Sequence, residues 1–142
     1  MEFSDLYSNR ILEIAGAARQ MPRLEAPDAT ARKVSRVCGS VVEVDLKLAD
    51  GRIAAYGATI NACALGQTSA AIVAERIVGA TPDELREVRE KMTAMLKSDG
   101  PPPDGRWDDL KYLEPVRGFP ARHASTLLVF EAVAEALERA GA

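Results

Sequence analysis

The two thiols and the one imidazole of this sequence could ligate a soft metal: Cys38, Cys63 and His123. Each sits in a turn-like context. Cys38 lies in Val37-Cys38-Gly39-Ser40, between two strand-like runs. Cys63 lies in Asn61-Ala62-Cys63-Ala64-Leu65-Gly66, just ahead of a helical run. His123, the only histidine, lies in Phe119-Pro120-Ala121-Arg122-His123-Ala124-Ser125, where the last helix begins. Thiolates with an imidazole on converging loops suit zinc or iron. Loops at strand and helix ends let a bound ion leave without unfolding the core. Gly39 permits a positive φ or a close backbone approach beside Cys38. The N–H groups of a helix that starts after Cys63 favour an anionic ligand there.

Plain roles compete with each of these. Free cysteines are often small buried hydrophobes, and Gly39 fits an ordinary turn. A single histidine is commonly a cap, a surface residue or a satisfied packing partner. Ser125 keeps its proton at neutral pH and is a poor ligand; its simplest role is the N-cap of the last helix. Ser40 reads as a turn residue. Trp107 and Tyr112 read as anchors of the segment around them.

The elements that position these residues follow from periodicity. Residues Asp5 to Ala18 read as a helix capped by Ser4 and Asp5, with Leu6, Ile11, Leu12, Ile14 and Ala15 near one face. Met21 to Thr30, with Pro22 and Pro27, reads as a loop. Strands are expected over Ala31–Val37, Val41–Leu48 and Arg52–Ile60. In the second, Val42, Val44, Leu46 and Leu48 alternate with Glu43, Asp45 and Lys47, which places one face on a core and the other toward water. Asp50-Gly51 predicts a tight hairpin. The period then lengthens. Thr68–Val78 reads as a helix stopped by Gly79. Thr81-Pro82-Asp83-Glu84 starts another that runs to about Lys97 and buries Leu85, Val88, Met92 and Met95. Pro101-Pro102-Pro103 forces an exposed connector. A short helix fits Trp107–Val116, with Leu110 and Leu113 inward, and Ser125–Ala140 is the last. One small antiparallel three-stranded sheet followed by helices predicts an α+β fold, with helices on one sheet face.

The chain has 142 residues, 47% of them apolar, and reads as a single domain, 1–142. Its net charge of −3 gives no electrostatic case for nucleic acid or an anionic membrane. No uncharged apolar run is long enough to span a bilayer, and Met1-Glu2-Phe3-Ser4-Asp5 has no secretory signature, so a cytoplasmic location is expected. In that compartment two cysteines favour free thiols or ligands over a disulfide.

The order and context of the three turns resembles the U-type iron–sulfur cluster assembly scaffolds, the NifU N-terminal domain, IscU and SufU family, from Leu6 to about Leu137. The family's Cys-Gly-Asp stands here as Cys38-Gly39-Ser40. Its Gly-Cys turn and small-residue helix stand as Asn61-Ala62-Cys63 and Gln67-Thr68-Ser69-Ala70-Ala71. Gly79 and Thr81 to Glu84 match its helix stop and restart. Phe119-Pro120-Ala121-Arg122 and the connector from Ser98 to Gly118 look like the SufU branch. An ungapped alignment from Phe119 puts Ser125 at the third cysteine; a one-residue shift aligns His123 with the histidine of the IscU branch and Ala124 with the cysteine. Either way the third thiol is missing, and Ser40 replaces the acidic ligand.

The resemblance implies a non-enzymatic scaffold. Cys38, Cys63 and His123 would be its metal ligands, with Ser40 and Ser125 at the lost ligand positions and Gly39 supporting the turn. It would hold iron or a transient [2Fe–2S] cluster, work with a cysteine desulfurase and cluster-acceptor proteins, and either share a cluster across a homodimer or bind one metal per chain. Zinc-dependent sulfur transfer and a metal-free regulator of the assembly machinery are the alternatives.

Overall fold

The computed structural model describes residues 8–16, 22–37 and 39–142. The flanks of the expected first helix, with Ser4, Asp5 and Leu6, lie outside the described residues, as does Cys38. Helix α1 is described over Asn9–Gly16 and buries Ile11 and Ala15. Three strands follow, β1 (Ala29–Val34), β2 (Val41–Ala49) and β3 (Arg52–Asn61), antiparallel in the order β1-β2-β3. The β2–β3 turn has positive φ at both Asp50 and Gly51, the left-handed pair that a two-residue hairpin needs. Helices α2 (Ala64–Arg76), α3 (Pro82–Lys97) and α4 (His123–Arg139) complete the frame. Between α3 and α4 runs the irregular proline-rich connector, then a 3₁₀ segment (Gly105–Gly118) and a 3₁₀ turn (Pro120–Arg122). The expected α+β architecture with one small antiparallel sheet is therefore present.

The inner sheet face is apolar. The rows Ala31–Val44–Ala58 and Ala29–Leu46–Tyr56 run across all three strands and are buried. Helix α4 packs on β1 and β2 from this side, and α2 and α3 pack on α4. The start of α3 follows the sequence closely. Thr81 accepts from the Glu84 N–H, the Glu84 carboxylate accepts from the Thr81 N–H, and Pro82 opens the helix, a reciprocal capping box. Gly79, at φ +93°, turns the chain after α2 so that its N–H donates to the Ile53 carbonyl, while the Ile53 N–H donates to Ala80. Trp107, Leu110, Leu113 and Val116 bury one side of the 3₁₀ segment, which ties the connector to the core as anticipated for Trp107.

Several boundaries differ from the periodicity. Strand β1 begins at Ala29 and stops at Val34, because Ser35 to Ser40 form a closed turn: the Ser35 N–H donates to the Ser40 carbonyl and the Gly39 N–H to the Ser35 carbonyl, both at 2.8 Å. Helix α2 begins four residues earlier than expected. Val78 lies beyond it and is exposed.

The larger correction concerns the outer sheet face. Asp45 was expected in water but is 1% exposed. Residues 22–24 cross this face above the row Thr30–Asp45–Gly57. Gly57 makes room for them, since a Cβ there would sit 2.5 Å from the Pro22 carbonyl oxygen. Arg23 donates to both carboxylate oxygens of Asp45, at 2.5 and 2.8 Å, and also to Glu43. The Leu24 N–H (3.0 Å) and the Thr30 hydroxyl (2.6 Å) complete the shell around Asp45. An ion pair with one end buried is tolerable because every lone pair of the carboxylate is engaged.

The Arg23 hydrogen bonds hold the Asp45 carboxyl down at about 2, below its ordinary 3.8, with Thr30 and Leu24 adding to the effect and burial opposing it. A carboxyl more acidic in the folded chain stabilises it above the unfolded value and loses that contribution as pH falls through the folded one. The contribution is about 2 kcal/mol at neutral pH. Denaturant unfolding of Asp45→Asn is expected to show lower stability than wild type at pH 7, with the difference shrinking between about pH 4 and pH 2. Equal stability at pH 7 would show that the latch contributes nothing.

Candidate metal and cluster site

Cys63 occupies the N-cap position of α2, with extended backbone at φ −67° and ψ 173°, and its side chain makes no capping bond. The sulfur is left to face something else. Among the described residues it meets Ser125, with Sγ and Oγ 3.6 Å apart. Two residues far apart in the chain thus meet where the first turns of α2 and α4 touch.

Small residues make this approach feasible. A Cβ on Gly66 would lie 2.8 Å from the Ala62 methyl and 3.2 Å from the Ser125 carbonyl oxygen. Glycine is therefore required for the backbones to come this close. The turn around Cys63 is braced from inside. The Gln67 N–H donates to the Cys63 carbonyl at 2.8 Å, and the Gln67 side-chain amide donates to the Ala62 carbonyl at 2.9 Å. The Thr68 hydroxyl reaches the carbonyls of Ala64 and Ile11, which fastens α1 against the same turn. Gly66, Gln67 and Thr68 stand in the sequence motifs around Cys63, but those motifs assign them no part in bracing the site. A glycine inside the first turn of a helix, three residues after a cysteine, is the signal that marks the place.

Ser125 is not the N-cap of α4. The 3₁₀ turn leads directly into the helix, so Arg122 takes the cap position and Ser125 falls within the first turn. There it is 2% exposed, and its hydroxyl lies 3.4 Å from the Arg122 carbonyl as well as near Cys63. His123 does open the last helix, but it too is buried. Its Nε2 lies 3.0 Å from the Val116 carbonyl oxygen and 3.3 Å from that of Arg117. Carbonyls only accept, so Nε2 carries a proton, which leaves Nδ1 as the nitrogen that could offer a lone pair. The imidazole thereby ties the 3₁₀ segment to α4.

At the far side of the site, Gly39 has the positive φ expected of it, +72°, and Ser40 is buried. The pairing of Val41 with Asn61 puts the Ser35–Ser40 turn and the Asn61–Cys63 turn at the same end of the sheet. Among the described residues, no three of His, Cys, Asp and Glu gather as a metal-binding group. Cys63 and Ser125 are the pair that the described structure brings together.

The chain superposes on the N-terminal part of a nitrogen-fixing NifU-like protein from Brucella abortus, with a TM-score of 0.94 and 48% sequence identity over 97% of this chain and 96% of that one. The chain belongs to the NifU-like N-terminal family. A curated relative, the iron–sulfur cluster assembly scaffold protein IscU of Thermotoga maritima, is 24% identical over 139 residues, 98% of this chain and 97% of its own length. A Fervidobacterium islandicum protein assigned as a SUF-system scaffold shares the fold, with a TM-score of 0.86 at 19% identity over 96% of this chain and 99% of that one. No protein-family model matches the chain.

Gly66→Ala tests the seating of the two helix ends in this NifU-like chain. Alanine is the better helix former by about 1 kcal/mol, yet overpacking of this kind costs about 1–3 kcal/mol. Net destabilisation is expected in denaturant unfolding, together with faster alkylation of Cys63 in a Cys38→Ser background. A more stable variant with unaltered alkylation would show that the helix ends are not tightly seated.

Proposed function

We propose that this chain is a scaffold for iron–sulfur cluster assembly, which binds iron, holds a small transient cluster such as [2Fe–2S] as cargo, and passes it to acceptor proteins. The observation that carries this reading is the alignment with the Thermotoga maritima scaffold, which runs nearly end to end in both chains. The geometry of the site agrees with it. A partly exposed thiol sits at a helix N-terminus with no competing capping bond, on a turn braced by its own backbone.

In this proposal the sulfurs of Cys38 and Cys63 are the soft ligands. His123 serves through Nδ1, its ring oriented by the carbonyls that hold Nε2. The hydroxyls of Ser40 and Ser125 stand beside the ligands and keep their protons, and Gly39 shapes the turn next to Cys38. With two thiols per chain, two copies would supply four thiolates to one shared cluster; alternatively, one chain holds one metal with an outside ligand. Sulfur would come from a cysteine desulfurase. The protein's part is to position and release, not to catalyse.

The reading is tested by anaerobic reconstitution with iron and sulfide, followed by elemental analysis and native mass spectrometry. Iron and sulfide are expected in the wild type, with visible absorbance. In Cys63→Ser, binding is expected to fall by more than the roughly tenfold that loss of an outer-shell contact costs, with the far-ultraviolet circular dichroism unchanged. Colourless, iron-free wild type would contradict the scaffold reading. Stoichiometric zinc in freshly purified protein would point instead to sulfur transfer, and no metal at all to a regulator that works by binding alone.

A further inference from the structure

We propose that Ser125 is a positioning residue for the Cys63 sulfur, a hydroxyl whose single proton turns from a backbone carbonyl to the sulfur when a metal takes that sulfur as thiolate. This rests on the scaffold reading above and names how its site is tuned. Among the described residues, the Ser125 oxygen has two neighbours in range, the Cys63 sulfur at 3.6 Å and the Arg122 carbonyl oxygen at 3.4 Å. One proton cannot serve both. While Cys63 is a thiol, its S–H donates to the serine oxygen and the serine O–H points to the carbonyl. When a metal binds, the thiol proton leaves to solvent and the sulfur offers only lone pairs. The serine O–H then turns to it, and the serine keeps its own proton throughout.

Two further features make this turn inexpensive. The Arg122 carbonyl does not lose its donor, because the Thr126 hydroxyl reaches it at 2.8 Å. Ser125 is 2% exposed, so little water competes for its proton. Its backbone is also held in place, with the Ser125 carbonyl facing Gly66 at the helix contact. A hydrogen bond to a metal-bound sulfur withdraws electron density from it, one of the means by which a protein sets the electronic properties of a thiolate–metal unit. Alanine at 125 removes the donor and changes little else, whereas threonine retains it.

Co(II) titration of the 142-residue chain tests this, with the sulfur-to-cobalt charge-transfer band as readout. In Ser125→Ala the band is expected to move to longer wavelength, and Co(II) affinity to fall by about tenfold. In Ser125→Thr the band is expected to return toward its wild-type position. A band that stays put in Ser125→Ala, with the wild-type band present, would overturn the role of Ser125 and leave the scaffold reading standing. A wild-type protein that binds Co(II) with no such band would overturn the sulfur site itself, and the role of Ser125 with it.

Discussion

The first turns of α2 and α4 meet at Gly66, where a Cβ would crowd the Ser125 carbonyl oxygen at 3.2 Å and the Ala62 methyl at 2.8 Å, and the rest of the site depends on this contact. It gives Cys63, at the mouth of one helix, a neighbour from the other, and it buries the partner hydroxyl without burying the thiol completely. The contact in turn needs rigid supports on both sides. Gln67 and Thr68 fix the turn before α2 and tie it to α1, while His123 and Thr126 fix the start of α4 to the segment before it. All four use backbone carbonyls as acceptors, so the restraint does not depend on a charged group that salt could screen.

The outer sheet face shows a different solution to a similar problem. The loop after α1 must cross a polar face, and it is held there by one carboxylate with a full set of donors rather than by apolar burial. Asp45 lies on β2, the central strand, whose end also pairs with the strand leading to Cys63. The same three strands therefore anchor the N-terminal part of the chain and carry the two turns toward one edge.

Much of this was legible in the sequence where local chemistry decides. The β2–β3 hairpin follows from period-two alternation and Asp50-Gly51, and the start of α3 from Thr81-Pro82-Asp83-Glu84. Helix α2 was placed too late because it is covered on several sides: Leu65, Thr68, Ser69, Ala70, Ile72 and Val73 are all buried, so no clean apolar stripe marks its first turn. Asp45 was misread because alternation assigns a face but does not say what crosses it. The cap of α4 was misread because a 3₁₀ turn runs into the helix and shifts its start to His123. The meeting of Cys63 and Ser125, 62 positions apart, is set by tertiary packing; sequence spacing could not supply it.

What results is a NifU-like domain with a thiol at a braced helix mouth and a buried hydroxyl 3.6 Å from its sulfur. Such a site can offer sulfur to a metal yet hold it with few ligands, which is what the proposed scaffold role asks of it. X-ray absorption at the zinc edge, on protein loaded with one zinc per chain and no added sulfide, addresses this most directly. The account predicts sulfur scatterers at about 2.3 Å. A shell made only of nitrogen and oxygen at about 2.0–2.1 Å would contradict it.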